Sequence, residues 1–334
     1  MNILFLSKYY FPHIGGVEKQ VKNLSKKLTA KGHEITVITT KYNPGLKDKE
    51  IKEKIRIVRI KSPSKKYLGL LAIWLWFFKN ISLIKKANII HAHSILIWYW
   101  PFRLLFPRKP VYTTFHGWEG IYPIPLKNIF IRKIDKLVAR KNITICDYVE
   151  KHYKIKADKI MYTSVNIPKK KNIKKDPQKL VYVGRLDEDT GLRKILKALS
   201  YLKEFKIDFC GEGTLLNECK KYGKVHGFVN PTPFLEKAFF CLSPGHTSIL
   251  EAFIQKCFIV TTYNNPVKKD YLLMTPFSKW IIVEKSPKKM AEAIKHYSQY
   301  PDQAKNKIEN AYKWALTQNW DNAVQIYTQL WKTK

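Results

Sequence analysis

Short apolar runs that end at glycine, histidine or serine, each followed by residues at helical spacing, limit what this chain can fold into. Met1–Leu6 is one such run, and a loop with Pro12, Gly15 and Gly16 follows it. Val17, Val21, Leu24 and Leu28 then recur at helical spacing, with Lys19, Lys22, Lys26 and Lys27 mostly outside that stripe, and Gly32 closes the helix. Ile35–Thr40 reads as the next strand. Strand, glycine loop, helix and strand in that order open a parallel α/β sheet. Ile55–Ile60, Asn88–Ala92, Val111–Thr114 and Ile143–Cys146 continue the strands, and Tyr67–Lys86 reads as one apolar helix. Pro168–Lys179 is charged and bounded by prolines, as a linker would be. The pattern restarts at Leu180–Val183, which leads into Gly184 and a helix carrying Leu192, Ile195, Leu196 and Leu199. Ile207–Phe209 leads into Gly211 and Gly213. Phe239–Leu242 leads into SPGHTS and a helix from about Ser248, Phe258–Thr262 is a further strand, and the tail is helical. The expectation is two α/β domains facing each other across a cleft.

The chain has 334 residues, enough for two cores, and 45% are apolar, too many for a disordered protein. Lys and Arg number 61 against 26 Asp and Glu, a net charge of +35. Residues 1–168 hold 32 basic and 10 acidic side chains, or +22, so the first half is the more basic. Such a field draws anions: phosphorylated ligands, acidic lipid or nucleic acid. No helix-turn-helix, zinc-finger or single-strand-binding signature accompanies it, so no specific nucleic acid is expected as a partner. The five cysteines include no Cys-x-x-Cys pair and read as buried thiols in a reducing compartment, with no metal site. The N-terminus does not read as a signal peptide, because Lys8 interrupts its short apolar run. The longest apolar run, Tyr67–Phe78, falls short of the roughly 20 residues a spanning helix needs. A cytoplasmic protein is therefore expected. That run, with Trp74 and Trp76 and flanked by Lys65, Lys66 and Lys79, suits shallow insertion at an anionic membrane surface, as does Ile95–Phe106, where Pro101 would break or kink a helix. Ordinary core packing is the alternative for both.

Three segments carry candidate chemistry. Pro12–Gly16 opens onto a helix N-terminus, where glycines admit a ligand and free amides favour anions. In VYVGRLDEDTG, residues 181–191, a strand delivers Gly184 and Arg185 to a sheet edge, and a guanidinium there suits bidentate contact with phosphate. In SPGHTSILEAF, residues 243–253, Gly245 loosens the turn, Thr247 or Ser248 caps the helix, and Glu251 lies in the first turn, where it either accepts from ribose hydroxyls or complements the helix dipole.

Taken together, these segments resemble the GT-B glycosyltransferases, which have two Rossmann-like domains, and most closely the retaining family 4. GGVE at Gly15–Glu18, HAHS at His91–Ser94, TFHG at Thr114–Gly117, VGRL at Val183–Leu186, CGEG at Cys210–Gly213 and ILEAF at Ile249–Phe253 carry the resemblance, in order along nearly the whole chain. It implies an acceptor-side domain over 1–168, a linker over 169–179, a nucleotide-sugar domain over 180–318 and a C-terminal helix, 319–334, returning to the first domain. Gly15 and Gly16 would lie beside the donor diphosphate and the acceptor, and His116 would face the reacting centre. Arg185 would bind the donor phosphates, with Gly184, Gly211 and Gly213 around it. Gly245 and the amides of His246, Thr247 and Ser248 would take the distal phosphate. Glu251 would hold the ribose, and Val225–Phe228 would lie near the base. The implied reaction moves a hexose, with retention of configuration, from a nucleotide-diphosphate sugar to a glycan or lipid-linked acceptor. No cofactor or metal is called for.

The chain departs from that pattern. Thr190 stands where the family has a lysine, Ser243 where it has the first glutamate of Glu-x7-Glu, and Thr163–Asn166 where it has Asn-Gly-Val-Asp. Arg193 or Lys194, a turn further on, is the expected replacement for the lysine. These losses keep a second reading open, a non-catalytic nucleotide-sugar-binding subunit of the same fold. His91 and His93 are expected on opposite faces of their strand, one of them a satisfied core histidine.

Overall fold

The computed structural model describes residues 1–61, 66–168 and 173–332. Lys65, read as a flank of the apolar run, lies outside them, as do 169–172 of the stretch read as a linker. The chain divides into two compact units: Met1–Trp118, Ile124–Met161 and Trp320–Lys334 form the first, and Glu119–Pro123 with Tyr162–Asn319 the second.

In the first unit, strands β1 (Asn2–Ser7), β2 (Glu34–Thr40), β3 (Lys49–Lys52), β4 (Ile55–Ile60), β5 (Ile89–His93), β6 (Val111–Phe115), β7 (Lys141–Thr144) and β8 (Lys159–Ile160) form one sheet in the order β3-β4-β2-β1-β5-β6-β7-β8. Every pairing is parallel except β3 with β4. The sequence reading missed β3: it is a charged edge strand, mostly exposed, with no apolar alternation to mark it. The order reverses between β1 and β5, so the carboxyl ends of these two strands flank a switch point, the usual ligand edge of such sheets.

Alternate residues of β1 divide between two cores. Ile3 and Phe5 join one that includes Val21, Leu24 and Leu28 of helix α1 (Gly16–Ala30), and Leu4 and Leu6 join the other. Such alternation is what a strand covered on both faces requires. The apolar segment after residue 65 forms two helices, α2 (Lys66–Lys79) and α3 (Ile81–Lys86), rather than one, with Asn80 between them donating its side-chain amide to the Trp76 carbonyl. Pro101 begins α4 (Trp100–Leu105) instead of breaking it, since a proline at the first turn gives up an amide that has no intrahelical partner. Helices α5 (Leu126–Val138) and α6 (Tyr148–Tyr153) complete the run before the chain leaves this unit.

In the second unit, β9 (Asp176–Val183), β10 (Lys206–Cys210), β11 (Lys224–Val225), β12 (Ala238–Leu242), β13 (Phe258–Thr261) and β14 (Ile282–Val283) form a parallel sheet in the order β11-β10-β9-β12-β13-β14. Strand β9 begins inside the segment read as linker. The order reverses between β9 and β12, which places a second switch point at Val183–Arg185 and Leu242–Gly245. The helices are α7 (Leu192–Leu199), α8 (Leu216–Cys219), α9 (Thr232–Lys237), α10 (His246–Ile254), α11 (Pro266–Leu273), α12 (Pro287–Gln299) and α13 (Asp302–Thr317). The apolar face of α7, read from its spacing, buries Leu192, Ile195, Leu196 and Leu199 against Leu180, Tyr182 and Phe209.

Helix α14 (Trp320–Lys332) belongs to the first unit, where Lys27 pairs with Asp321 at 3.0 Å and Gln20 donates to Tyr327 Oη at 3.2 Å.

Candidate active site

At the first switch point the strand ends carry histidines. His91 and His93 share one face of β5, with ring centroids 5.2 Å apart. The expected opposite faces are thus corrected: side chains alternate with period two, so residues two apart point the same way. His91 is fully buried and doubly bonded. Its Nδ1 accepts from Trp331 Nε1 at 3.1 Å, which leaves the proton on Nε2, 2.8 Å from Thr114 Oγ1. Thr114 in turn meets Tyr327 Oη at 2.9 Å. His91 is therefore a satisfied core histidine.

His93 Nδ1 lies 2.9 Å from His116 Nε2, and the rings are stacked. The His116 amide donates to Ser94 Oγ at 2.8 Å, which pins the turn after β6. Burial pushes all three imidazoles down, His116 to about 3 with the Arg132 guanidinium adding to the effect. They are neutral at physiological pH. Arg132, itself buried, donates to the Gly117 carbonyl at 2.9 Å and covers the Tyr153 ring at 3.9 Å.

The Gly15–Gly16 loop differs from its reading as an open anion site. Glu18, third residue of α1, folds back over N-cap Gly15, and a Cβ on Gly15 would collide with its carboxylate. The other oxygen of that carboxylate sits 2.9 Å from His13 Nδ1. The chain's own carboxylate covers the positive end of the helix.

At the second switch point the strand-end loops pack through glycine. A Cβ on Gly211 would collide with the Gly184 carbonyl, and one on Gly184 would come within 2.8 Å of Pro244. Gly213 lies as close to Asp187 Oδ1, at 2.6 Å from its would-be Cβ. These glycines hold the loops after β9, β10 and β12 together. Arg185, with its side chain 59% exposed, leaves this junction and pairs with Asp187 Oδ2 at 2.8 Å and Asp189 Oδ2 at 2.6 Å. It stays charged, and its exposure leaves it available to a ligand.

Helix α10 starts at His246, two residues before the expected position, so Glu251 falls in its second turn, half-buried, and not in the first. Dipole complementation, which acts within the first turn, is the weaker of its two readings as a result. N-cap Gly245 has no side chain, and the first amide, His246 N–H, donates to Tyr271 Oη at 2.9 Å. The amides of Thr247 and Ser248 follow it at the helix's positive end. The His246 ring is buried, stacked on Tyr271 at 3.9 Å, and its Nε2 is 2.7 Å from the Tyr271 carbonyl, so the ring is a structural prop of this turn. Val225 is half-buried on β11, and Phe228, three residues past the end of that strand, is 50% exposed.

The departures have structural reasons. Thr190 is buried, donates to the Asp187 carbonyl at 2.6 Å and accepts from Tyr182 Oη at 3.2 Å, which closes the turn Glu188–Thr190. Ser243 is fully buried against Ser248 Oγ. Neither can reach a ligand. Of the expected replacements, Arg193 pairs with Glu188 and with Glu218 at 2.7 Å, and Lys194 donates to the Tyr263 carbonyl at 2.7 Å. Thr163 Oγ1 lies 3.3 Å from Thr247 Oγ1. The sequence reading missed Tyr271, the two aspartates on Arg185, and Lys268, whose only mark is a lysine among the apolar residues of α11.

Residues 14–163 match the Glycosyltransferase Family 4 profile and residues 164–314 match Glycosyl transferases group 1. The chain belongs to the family 4 GT-B glycosyltransferases, and it is a transferase enzyme. The sucrose-phosphate synthase of Thermosynechococcus elongatus is similar in structure, with a TM-score of 0.79, 16% identity, and 99% of this chain and 98% of that one covered. A glycosyltransferase from Rickettsia africae gives 0.73 at 19% identity, over 99% and 97%. The Anabaena HepE protein in complex with UDP and glucose gives 0.74 at 13%, over 99% of each chain. No curated protein sequence matches the chain.

Proposed function

We propose that this glycosyltransferase moves a hexose from a nucleotide-diphosphate sugar to a lipid-linked or glycan acceptor, with retention of configuration. The observation that carries the donor assignment is the convergence at one switch point of Gly184–Arg185 with the N-terminus of α10. Arg185 and the amides of Thr247 and Ser248 bind the diphosphate, Glu251 the ribose, and Val225 and Phe228 flank the base. The sugar–phosphate bond breaks with its electron pair passing to the diphosphate oxygen, and fixed cations and amides stabilise that charge. The acceptor hydroxyl forms the new bond on the same face, and its proton passes to the leaving phosphate, so no protein nucleophile is needed. His116, neutral, hydrogen-bonds the transferred sugar. The UDP held by the Anabaena protein makes a uridine nucleotide the first donor to try.

A thermal-shift screen against UDP-, GDP- and ADP-sugars tests the reading, because a ligand at about 100 times its dissociation constant stabilises by roughly 2.7 kcal/mol. One nucleotide should shift the transition selectively and give product with an added acceptor. A shift without product, over a range of acceptors, would favour the non-catalytic subunit, and no shift at all would remove the donor site.

A lipid-linked acceptor at the cytoplasmic membrane face is supported by the surface of α2. Leu68, Leu71, Leu75 and Phe78 are each about half exposed along one side of it, and Leu104 and Leu105 of α4 are exposed as well. Phe78 packs on Phe102 of α4 with ring centroids 4.7 Å apart. Trp74 and Trp76, the residues expected to insert, are partly buried and pack against the core, Trp74 donating to the Ile97 carbonyl at 3.0 Å. Among the described residues no helix is long and apolar enough to cross a membrane. The protein should co-sediment with phosphatidylglycerol vesicles, and Leu71→Glu with Leu75→Glu should release it without loss of fold. Undiminished binding by that variant would remove this surface from the reading.

A further inference from the structure

Lys268 has no role in any interaction described so far, yet it is among the most buried charged side chains in the second unit, at 5% exposure. It lies on the inner face of α11 with Val267, Tyr271 and Leu272, where an apolar residue would pack at lower cost. Among the described residues it has no carboxylate partner. Its Nζ donates to the Pro244 carbonyl, immediately before the N-cap of α10, and sits 4.5 Å from the centre of the Tyr271 ring. The hydroxyl of that same ring takes the His246 amide. An ammonium has three protons to donate, and the Pro244 carbonyl takes one. A buried cation and the positive end of a helix are thus brought together around one loop, an arrangement that favours an anion shared between them.

We propose that Lys268 is the second cation of the donor diphosphate site, supplied from α11 in place of the family lysine that Thr190 replaces. The proposal rests on the donor-site reading above. Its charged neighbours fit. Burial lowers the Lys268 ammonium to about 7, while Asp189 opposes that shift and Arg185 adds to it. These are the residues at the end of β9, so the ammonium shares the field of the Arg185 cluster. His246 and Tyr271 are the other titratable groups packed on it, and His246 is held neutral, at about 3, by burial. The lysine is therefore poised to lose its proton, and a bound diphosphate would restore the charge. Neither Arg193 nor Lys194 is buried at this loop.

The test uses Lys268→Met, which keeps the length of the side chain and removes the charge. UDP, GDP and ADP are titrated calorimetrically into the wild type and the variant, together with the nucleoside of whichever one binds. The variant should bind the diphosphate at least about tenfold more weakly and the nucleoside within about twofold, and it should melt no lower than the wild type, because a buried unpaired charge is gone. At about pH 8 the wild type should take up close to one proton per nucleotide bound, read from buffers of different ionisation enthalpy, and the variant none. Equal diphosphate affinity, or unchanged proton uptake, would overturn the role of Lys268 while leaving the donor site intact. If the variant does not fold, the wild-type measurement decides alone: no uptake at that pH overturns the proposal. Failure of all three nucleotides to bind the wild type would instead bring down the donor-site reading itself.

Discussion

The two switch points occupy equivalent places in two largely parallel sheets, and their electrostatics differ. In the first unit the strand ends present His93 and His116, neutral and stacked on each other, with His91 behind them in a network of Thr114, Tyr327 and Trp331. In the second they present Arg185 between two aspartates, with Lys268 donating to the Pro244 carbonyl of the neighbouring loop. A parallel sheet provides the place, and the residues following each strand decide what can bind there. Neutral imidazoles can hydrogen-bond an uncharged sugar without attracting a second diphosphate. Cations and helix amides suit the charged part of the donor. The two strand-end clusters thus differ in charge more than in backbone.

The largest effect that would sharpen this contrast is acid sensitivity. His91, His93 and His116 are all pushed down in the folded first unit, whereas in the second His246 is the histidine pushed down. Between the unfolded value of about 6.5 and the folded one, the unfolded chain binds more protons. The stability that neutral histidines represent is therefore complete above about pH 6.5 and is lost as pH falls below it. Each contributes about 1 kcal/mol of loss between pH 6.5 and 5.5, and His33, also lowered in the first unit, adds to its side, so the first unit should lose at least roughly three times as much as the second. Calorimetry across that range, with limited proteolysis to locate the unit that opens, checks this. Opening of the second unit first would break the comparison.

Next in size is Arg185→Ala. The side chain is largely exposed, so the fold should survive, while turnover should fall by about 100-fold through loss of a fixed cation at the leaving diphosphate. Wild-type turnover in that variant would remove the charged end of the comparison.

How far these regions could be read from the sequence differs with the kind of signal. The strand-end glycines and the β–α alternation were legible, because apolar runs and glycine loops leave marks in one dimension. The places of Arg185 and His116 just past strand ends were legible through the strands that deliver them. Lys268 was not: its meaning depends on which face of α11 is buried and on what lies across from it, and a lysine at helical spacing looks like any solvated one. The histidine pair His93–His116 joins strands 23 positions apart, so sequence spacing could not reveal it. The replacement of the family lysine was sought along the same helix as Arg193 and Lys194, when the fold supplied a candidate from another element. The loss at Thr190 became intelligible only when its hydroxyl was seen closing the turn after Asp187.

The smallest expected effect concerns Ser243, where sequence comparison expects a sugar-binding carboxylate. The Ser243 side chain is fully buried and hydrogen-bonded to Ser248 Oγ, and the Ser243 carbonyl accepts from Thr261 Oγ1 at 2.6 Å. These contacts brace the loop that leads into α10 and leave no surface for a donor. Ser243→Ala should therefore cost about 1 kcal/mol of stability, the net worth of one buried hydrogen bond, and leave nucleotide-sugar affinity within about twofold. Ser248 keeps the Gly245 carbonyl at 3.1 Å as a partner, which limits the damage. Chemical denaturation and donor titration on the same variant separate the two readings. A stable variant with donor affinity reduced tenfold or more would return position 243 to the sugar site and place the contrast between the two switch points elsewhere than in charge.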